Sequence, residues 1–97
     1  MFVGYGVFAL HLPHVRDLKS KRRIVRGLVD RIHARHRVSV AETSAHDLHQ
    51  RAEVGVAVVA ADEVEVERIL ARIHELVDRE IEATILAWDP KVIEEEA

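Results

Sequence analysis

Residues 37–61, RVSVAETSAHDLHQRAEVGVAVVAA, decide the fold. In RVSVAET (37–43), Val38 and Val40 alternate with Ser39 and Ala41, the period of a strand with one covered face. SAHD (44–47) supplies turn chemistry, and AEVGVAVVAA (52–61) is a bounded apolar run that suits a strand inside a sheet. Together they read as a hairpin, with helical spacing on both sides of it. Upstream, Leu18, Val25, Leu28 and Ile32 recur at helix period behind Asp17, whose carboxylate can accept first-turn N–H groups; this helix is expected to reach about His36. Downstream, Val66, Ile69, Leu70, Ile73, Leu76 and Val77 share one helix face, with Asp62 and Glu65 at capping-box spacing before it.

At the ends of the chain, FVGYGVFALHL (2–12) reads as a strand with both faces at least partly covered, and ATILAWDPKVI (83–93) as the last strand. Pro90 has no N–H to give to a ladder, which sends that strand to a sheet edge. The order is βαββαβ. Right-handed crossovers close it as an α+β ferredoxin-like sandwich, an antiparallel four-stranded sheet in the order 4-1-3-2 with two helices on one face. The Pro90 strand then lies at an edge, as its chemistry requires. One domain is expected over residues 1–93, followed by an acidic tail at 94–97.

Length and composition agree with one domain, since 97 residues with 48% hydrophobic content can bury one core. The absence of cysteine excludes disulfides, a thiolate nucleophile and cysteine metal sites, and suits a cytoplasmic protein. The apolar start at Phe2–Leu12 is far short of the roughly 20 residues that span a bilayer and lacks a basic leader, so no membrane role is expected.

Charge is distributed unevenly. Residues 16–37 hold nine Lys or Arg against two Asp, a net of +7, and residues 38–97 hold five against fifteen Asp or Glu, a net of −10, giving the −3 of the whole chain. Lys19, Lys21, Arg22 and Arg23 stand in the first two turns of the first helix, where each cation opposes the helix dipole at a cost of about 0.3–1 kcal/mol. The second helix obeys the opposite rule with Asp62, Glu63, Glu65 and Glu67. An arriving phosphate would turn the violation into an attraction, so Arg16, Lys19, Lys21, Arg22, Arg23 and Arg26 are the candidate anion- or RNA-binding residues. The competing expectation is a solvated face, paired with acidic residues of the second helix or of another subunit. The spacing spreads these cations around the helix and no aromatic is interleaved among them. Tyr5 has no aromatic partner on the third strand, which excludes base-stacking recognition by the sheet and leaves backbone contacts.

With Phe8, Leu10 and Leu12 turned to the helices, Val3, Tyr5, Val7 and Ala9 face outward beside Gly55, Ala57 and Val59. So smooth an apolar patch invites cover by a second copy, and a homodimer is expected. His11 with His14 and His46 with His49 have metal-pair spacing, and Glu42, Asp47 and Glu53 are carboxylates of the right type, but the pairs have no helical scaffold and no metal or other cofactor is expected. The same residues offer no nucleophile with a defined partner, so no catalytic residue is named. Asp47 and Arg51 are expected to fix the hairpin through turn hydrogen bonds and a cross-strand charge pair.

HLPHVRDLKSKRRIV, RVSVAE and DLHQRAEVGVAVV resemble the signature stretches of the bacterial YlxP-like family of unknown function, over nearly the whole chain. The family pattern falls on His11, Pro13, Leu18, Lys19, Lys21, Arg22, Val38 to Glu42 and Asp47 to Ala52, so His11, Pro13, Glu42, Asp47, Gln50 and Arg51 are its marker residues here. His36, Arg37 and His49 stand where that family usually carries an aromatic–Asn pair and a tryptophan. The resemblance implies a ferredoxin-like fold and a gene set among translation-initiation and ribosome-maturation genes, with no assigned activity. The expectation is therefore a non-enzymatic cytoplasmic module near translation, whose partner is RNA, a ribosome-associated factor or another acidic surface. Acylphosphatases are the enzymatic alternative: they share the topology and hold phosphate in the first strand-to-helix loop, where Arg16 stands here, although HLPHVRD replaces their glycine-rich cradle.

Overall fold

A computed structural model describes residues 1–96. The elements run β1 (Phe2–His11), α1 (Leu18–Arg35), β2 (Ser39–Ser44), β3 (Arg51–Ala60), α2 (Glu63–Asp78), β4 (Thr84–Ala87) and β5 (Lys91–Glu94). All pairings are antiparallel in the order β2-β3-β1-β4, with β5 also on β1, which is the ferredoxin-like order with its last strand in two pieces. Ala9 pairs with Ala87 and Tyr5 with Lys91 at one offset along β1, and a bulge between Ala9 and Leu10 shifts the rest of β4 by one residue, to Leu10 with Ile85 and His11 with Thr84. Trp88, Asp89 and Pro90 leave the ladder between them because Pro90 cannot donate and Trp88 turns inward to stack on Phe8.

The pleat assigns the two faces as expected. Phe8 and Leu10 of β1, and Ala52, Val54, Val56 and Val58 of β3, are buried against Val25, Leu28 and Ile32 of α1 and Val66, Leu70 and Ile73 of α2. Each fully buried aliphatic or aromatic side chain contributes about 1.5–3 kcal/mol. Helix and strand meet closely at Gly4, where a Cβ would stand 2.3 Å from Val66 Cγ1. The Asp17 cap forms as expected, with Ser20 N–H donating to Asp17 Oδ1 at 2.7 Å.

Three boundaries differ from the sequence reading. Asp62 makes no side-chain cap bond, and Glu65, expected to reach back in a capping box, is held by Arg68 instead. The β2–β3 loop occupies residues 45–50 rather than 44–47, with a bulge between Glu42 and Ser44. Glu94, placed in the acidic tail, belongs to β5, and Glu95 exchanges backbone hydrogen bonds with Met1; Ala97 lies outside the described residues. No helix among the described residues is long and apolar enough to cross a membrane.

Candidate functional site

Lys21 separates from the other candidate cations. Its position continues the apolar spacing of Leu18, Val25, Leu28 and Ile32, and the side chain is 0% exposed. Its ammonium lies 2.8 Å from Glu42 Oε2, whose side chain is 17% exposed. It also donates to Ala45 O at 2.6 Å and Leu48 O at 2.9 Å, and approaches His46 O at 3.4 Å. The contact with Glu42 is an ion pair by distance but lacks hydrogen-bond alignment, and that oxygen has no other partner. Lys21 is thus a strut between α1 and the β2–β3 loop, and the expectation that it binds an external anion is corrected by its burial. Among the residues it holds is Ala45, which sits in the left-handed region at φ 62°, a conformation that costs a non-glycine residue about 1–2 kcal/mol.

The marker residues form the rest of this frame. Gln50 Nε2 donates to Val15 O at 3.1 Å and reaches Pro13 O at 3.4 Å, and Leu12 N–H donates to Gln50 O, which ties the β1–α1 connection to the β2–β3 loop. His11 pairs with Arg51 across the β1–β3 ladder. Asp47 and Arg51 form no ion pair among the described residues, and the hairpin is fixed by Lys21 and Gln50 in place of the expected charge pair. Asp17 sits beside the same loop: its bond from Ser20, chiefly, and the charges of His49 and Lys19 hold its carboxyl below the usual carboxylate range. Since Asp17 already occupies the helix start, a phosphate meets a carboxylate there rather than open N–H groups. Among the described residues no cluster of His, Asp or Glu is arranged to hold a metal.

The remaining cations are gathered rather than scattered. Lys19, Arg22, Arg23 and Arg26 are all exposed and line one shallow groove along α1, floored by Gly27 and closed by Asp30. With Lys21 turned inward, the others fall on a single stripe at i, i+3, i+4 and i+7. Among the described residues none of the four forms a salt bridge; the pairs on this side use other residues, as in Arg31 with Glu80 of the α2–β4 connection. Gly27 costs a helix interior about 0.8–1 kcal/mol relative to alanine. A Cβ there would meet only Arg31 Nη1, at an ordinary 3.5 Å, so packing does not require the glycine. Arg16 is exposed in the β1–α1 connection, in an adjoining cleft of about 290 Å³ that shares Ser20 and Arg23 with the groove and that Asp17 and Glu82 also line.

On the opposite side of the sheet, Val3, Tyr5, Val7 and Ala9 face away from the helices. Tyr5 and Val7 are 42% and 44% exposed, and Ile93 and Val59 flank Val3 at 46% and 60%.

Residues 3–89 match the family model DUF503, described as a protein of unknown function. The chain is 34% identical over 85 residues to the uncharacterized protein YlxP of Bacillus subtilis (strain 168), covering 86% of this chain and 92% of that one. Among solved structures it resembles the de novo designed protein Foldit4 (TM-score 0.58, 13% identity, 99% of this chain and 100% of that one). It also resembles a de novo designed protein with a ferredoxin fold (TM-score 0.51, 19% identity, 100% and 88%). At these identities the structural likenesses establish the fold, and the sequence matches establish the lineage: the chain belongs to the DUF503 family of proteins of unknown function, the YlxP-like family its signature stretches point to.

Proposed function

We propose that this protein is a cytoplasmic, non-catalytic binding module that engages RNA phosphates along the outer flank of α1, in or near translation. The observation that carries the reading is the stripe of Lys19, Arg22, Arg23 and Arg26, exposed, adjacent and in no salt bridge among the described residues. A polyanion supplies the missing counter-charge at all four at once, and the setting in translation follows from the family resemblance. Phosphate contacts of this kind position a backbone without reading bases, which suits a sheet that carries no pair of stacking aromatics. The docking place is the helix flank, since Asp17 holds the helix end.

Replacing Lys19, Arg22, Arg23 and Arg26 by Gln tests this, because none of the four is a core residue and the fold is retained. Binding to fluorescein-labelled single-stranded RNA, followed by anisotropy across a salt series, should weaken, and the log–log salt slope should flatten by about 0.7 for each phosphate that is no longer neutralised. Equal affinity and equal slope in parent and variant would refute the proposal.

The open sheet face supports a further element of the reading, a homodimer, because Tyr5, Val7, Val59 and Ile93 expose apolar surface on one side of one sheet. Light scattering at micromolar concentration should give the dimer mass, and Val7→Lys should give a folded monomer. A monomer mass for the parent refutes it.

A further inference from the structure

The interruption of the edge strand opens a cleft. Where Trp88 turns inward it crosses Gly6, at which a Cβ would stand 2.8 Å from the indole, and it lies on Phe8 with ring centroids 3.8 Å apart and planes 5° from parallel. Between this indole and α2 is a space of about 610 Å³ whose apolar walls include Leu70, Ala71, Pro90 and Val92. That volume lies within the range of small-molecule sites, about 300–1,000 Å³. Glu67, His74 and Glu75 of α2 complete the lining. They are spaced i, i+7 and i+8, which places them on one side of the helix. No Lys or Arg lines the cleft; at its rim the guanidinium of Arg79 is 3.9 Å from Glu75, with both side chains well exposed.

An apolar interior beneath two carboxylates selects its occupant by charge. An anion is repelled by Glu67 and Glu75, and a neutral body gains only the apolar contact. A flat apolar body that carries one ammonium covers Trp88, Pro90 and Val92 and places its charge against the glutamates. We infer that this cleft is a binding site for a small hydrophobic amine. It is independent of the basic stripe, being on the other helix and of opposite sign, so either can fail alone.

Trp88 is the only tryptophan, which makes indole emission a direct reporter of occupancy. Benzylamine, benzyl alcohol and benzoate are titrated as probes. Benzylamine should change the emission saturably, with half-saturation on the order of 1 mM. Benzyl alcohol should bind about three- to tenfold more weakly, the worth of two partly screened carboxylates, and benzoate more weakly still. Glu67→Gln combined with Glu75→Gln should bring benzylamine down to the level of the alcohol. Ala71→Phe, at an exposed wall position, should abolish the response to all three. Identical or non-saturating curves for the three probes on the parent, or an amine preference that survives in the double glutamine variant, would overturn the inference.

Discussion

Lys21→Met removes the ammonium and keeps the side chain's length. What remains is a largely buried Glu42 carboxylate with no counter-charge and three loop carbonyls without their donor. Breaking a buried pair by removing one partner costs about 3–5 kcal/mol. The broken hydrogen bonds overlap with that figure rather than add to it, since the loop carbonyls lie near solvent and can turn to water. Against a total stability of about 5–15 kcal/mol for a domain of this size, the variant should be marginal. In urea, with a slope of about 1–1.5 kcal/mol per molar, the midpoint should fall by about 2–5 M. The double variant Lys21→Met with Glu42→Leu should recover at least about 2 kcal/mol, because no unpaired charge is then left in the core. Lys19→Gln is the surface control and should move the midpoint hardly at all. If Lys21→Met shifted the midpoint no more than Lys19→Gln, Lys21 would not be a strut and its assignment to the scaffold would be wrong.

Gly27→Ala should stabilise the protein by about 0.5–1 kcal/mol in urea melts, since a Cβ fits there, and should weaken RNA binding if the groove is used; an unstable variant refutes the geometry. His36 holds its proton less tightly when folded than when unfolded, because burial and the charges of Arg72 and Arg35 oppose the imidazolium. Its contribution to stability is therefore complete above the ordinary value of 6.5 and falls away as pH drops toward the folded value. His36→Gln should flatten the stability curve just below that point, and a curve parallel to the parent's between about pH 7 and pH 5 refutes the account.

The fold was legible because its signals are local and redundant: period two in Val38 and Val40, period 3.6 in both helices, and Pro90 fixing the edge. The break at residues 88–90 was only half legible. Pro90 announced a weak ladder, but the inward turn of Trp88 depends on Gly6 and Phe8, more than 75 residues away in sequence, and no local pattern connects them. The Lys21–Glu42 pair did leave a signal. Lys21 interrupts the run Leu18, Val25, Leu28, Ile32, and Glu42 follows Val40 on the inward face of β2, so two opposite charges occupied core positions of neighbouring elements. Counting LKSKRR as one basic block hid the register that separates its members.

That separation alters the energetic case for function. Burial and pairing account for Lys21, and the dipole argument reaches only the first turn, so it applies to Lys19 and fades at Arg26. What now opposes the arrangement is mutual repulsion. Lys19 with Arg22, Lys19 with Arg23, Arg22 with Arg26 and Arg23 with Arg26 are four like-charge pairs at i, i+3 or i, i+4, each destabilising by about 0.2–0.5 kcal/mol. Together with Gly27 they withhold about 2–3 kcal/mol from one flank of one helix, a large share of a domain's stability, and neither Asp30, which lines the same groove, nor Asp17 forms a salt bridge with any of the four. A solvated face has no need of that arrangement, because one glutamate among the four positions would relieve it. Local rules broken together on one surface, with no salt bridge within the fold to offset them, are expected where a ligand provides the compensation. A polyanion does so at every position of the stripe at once.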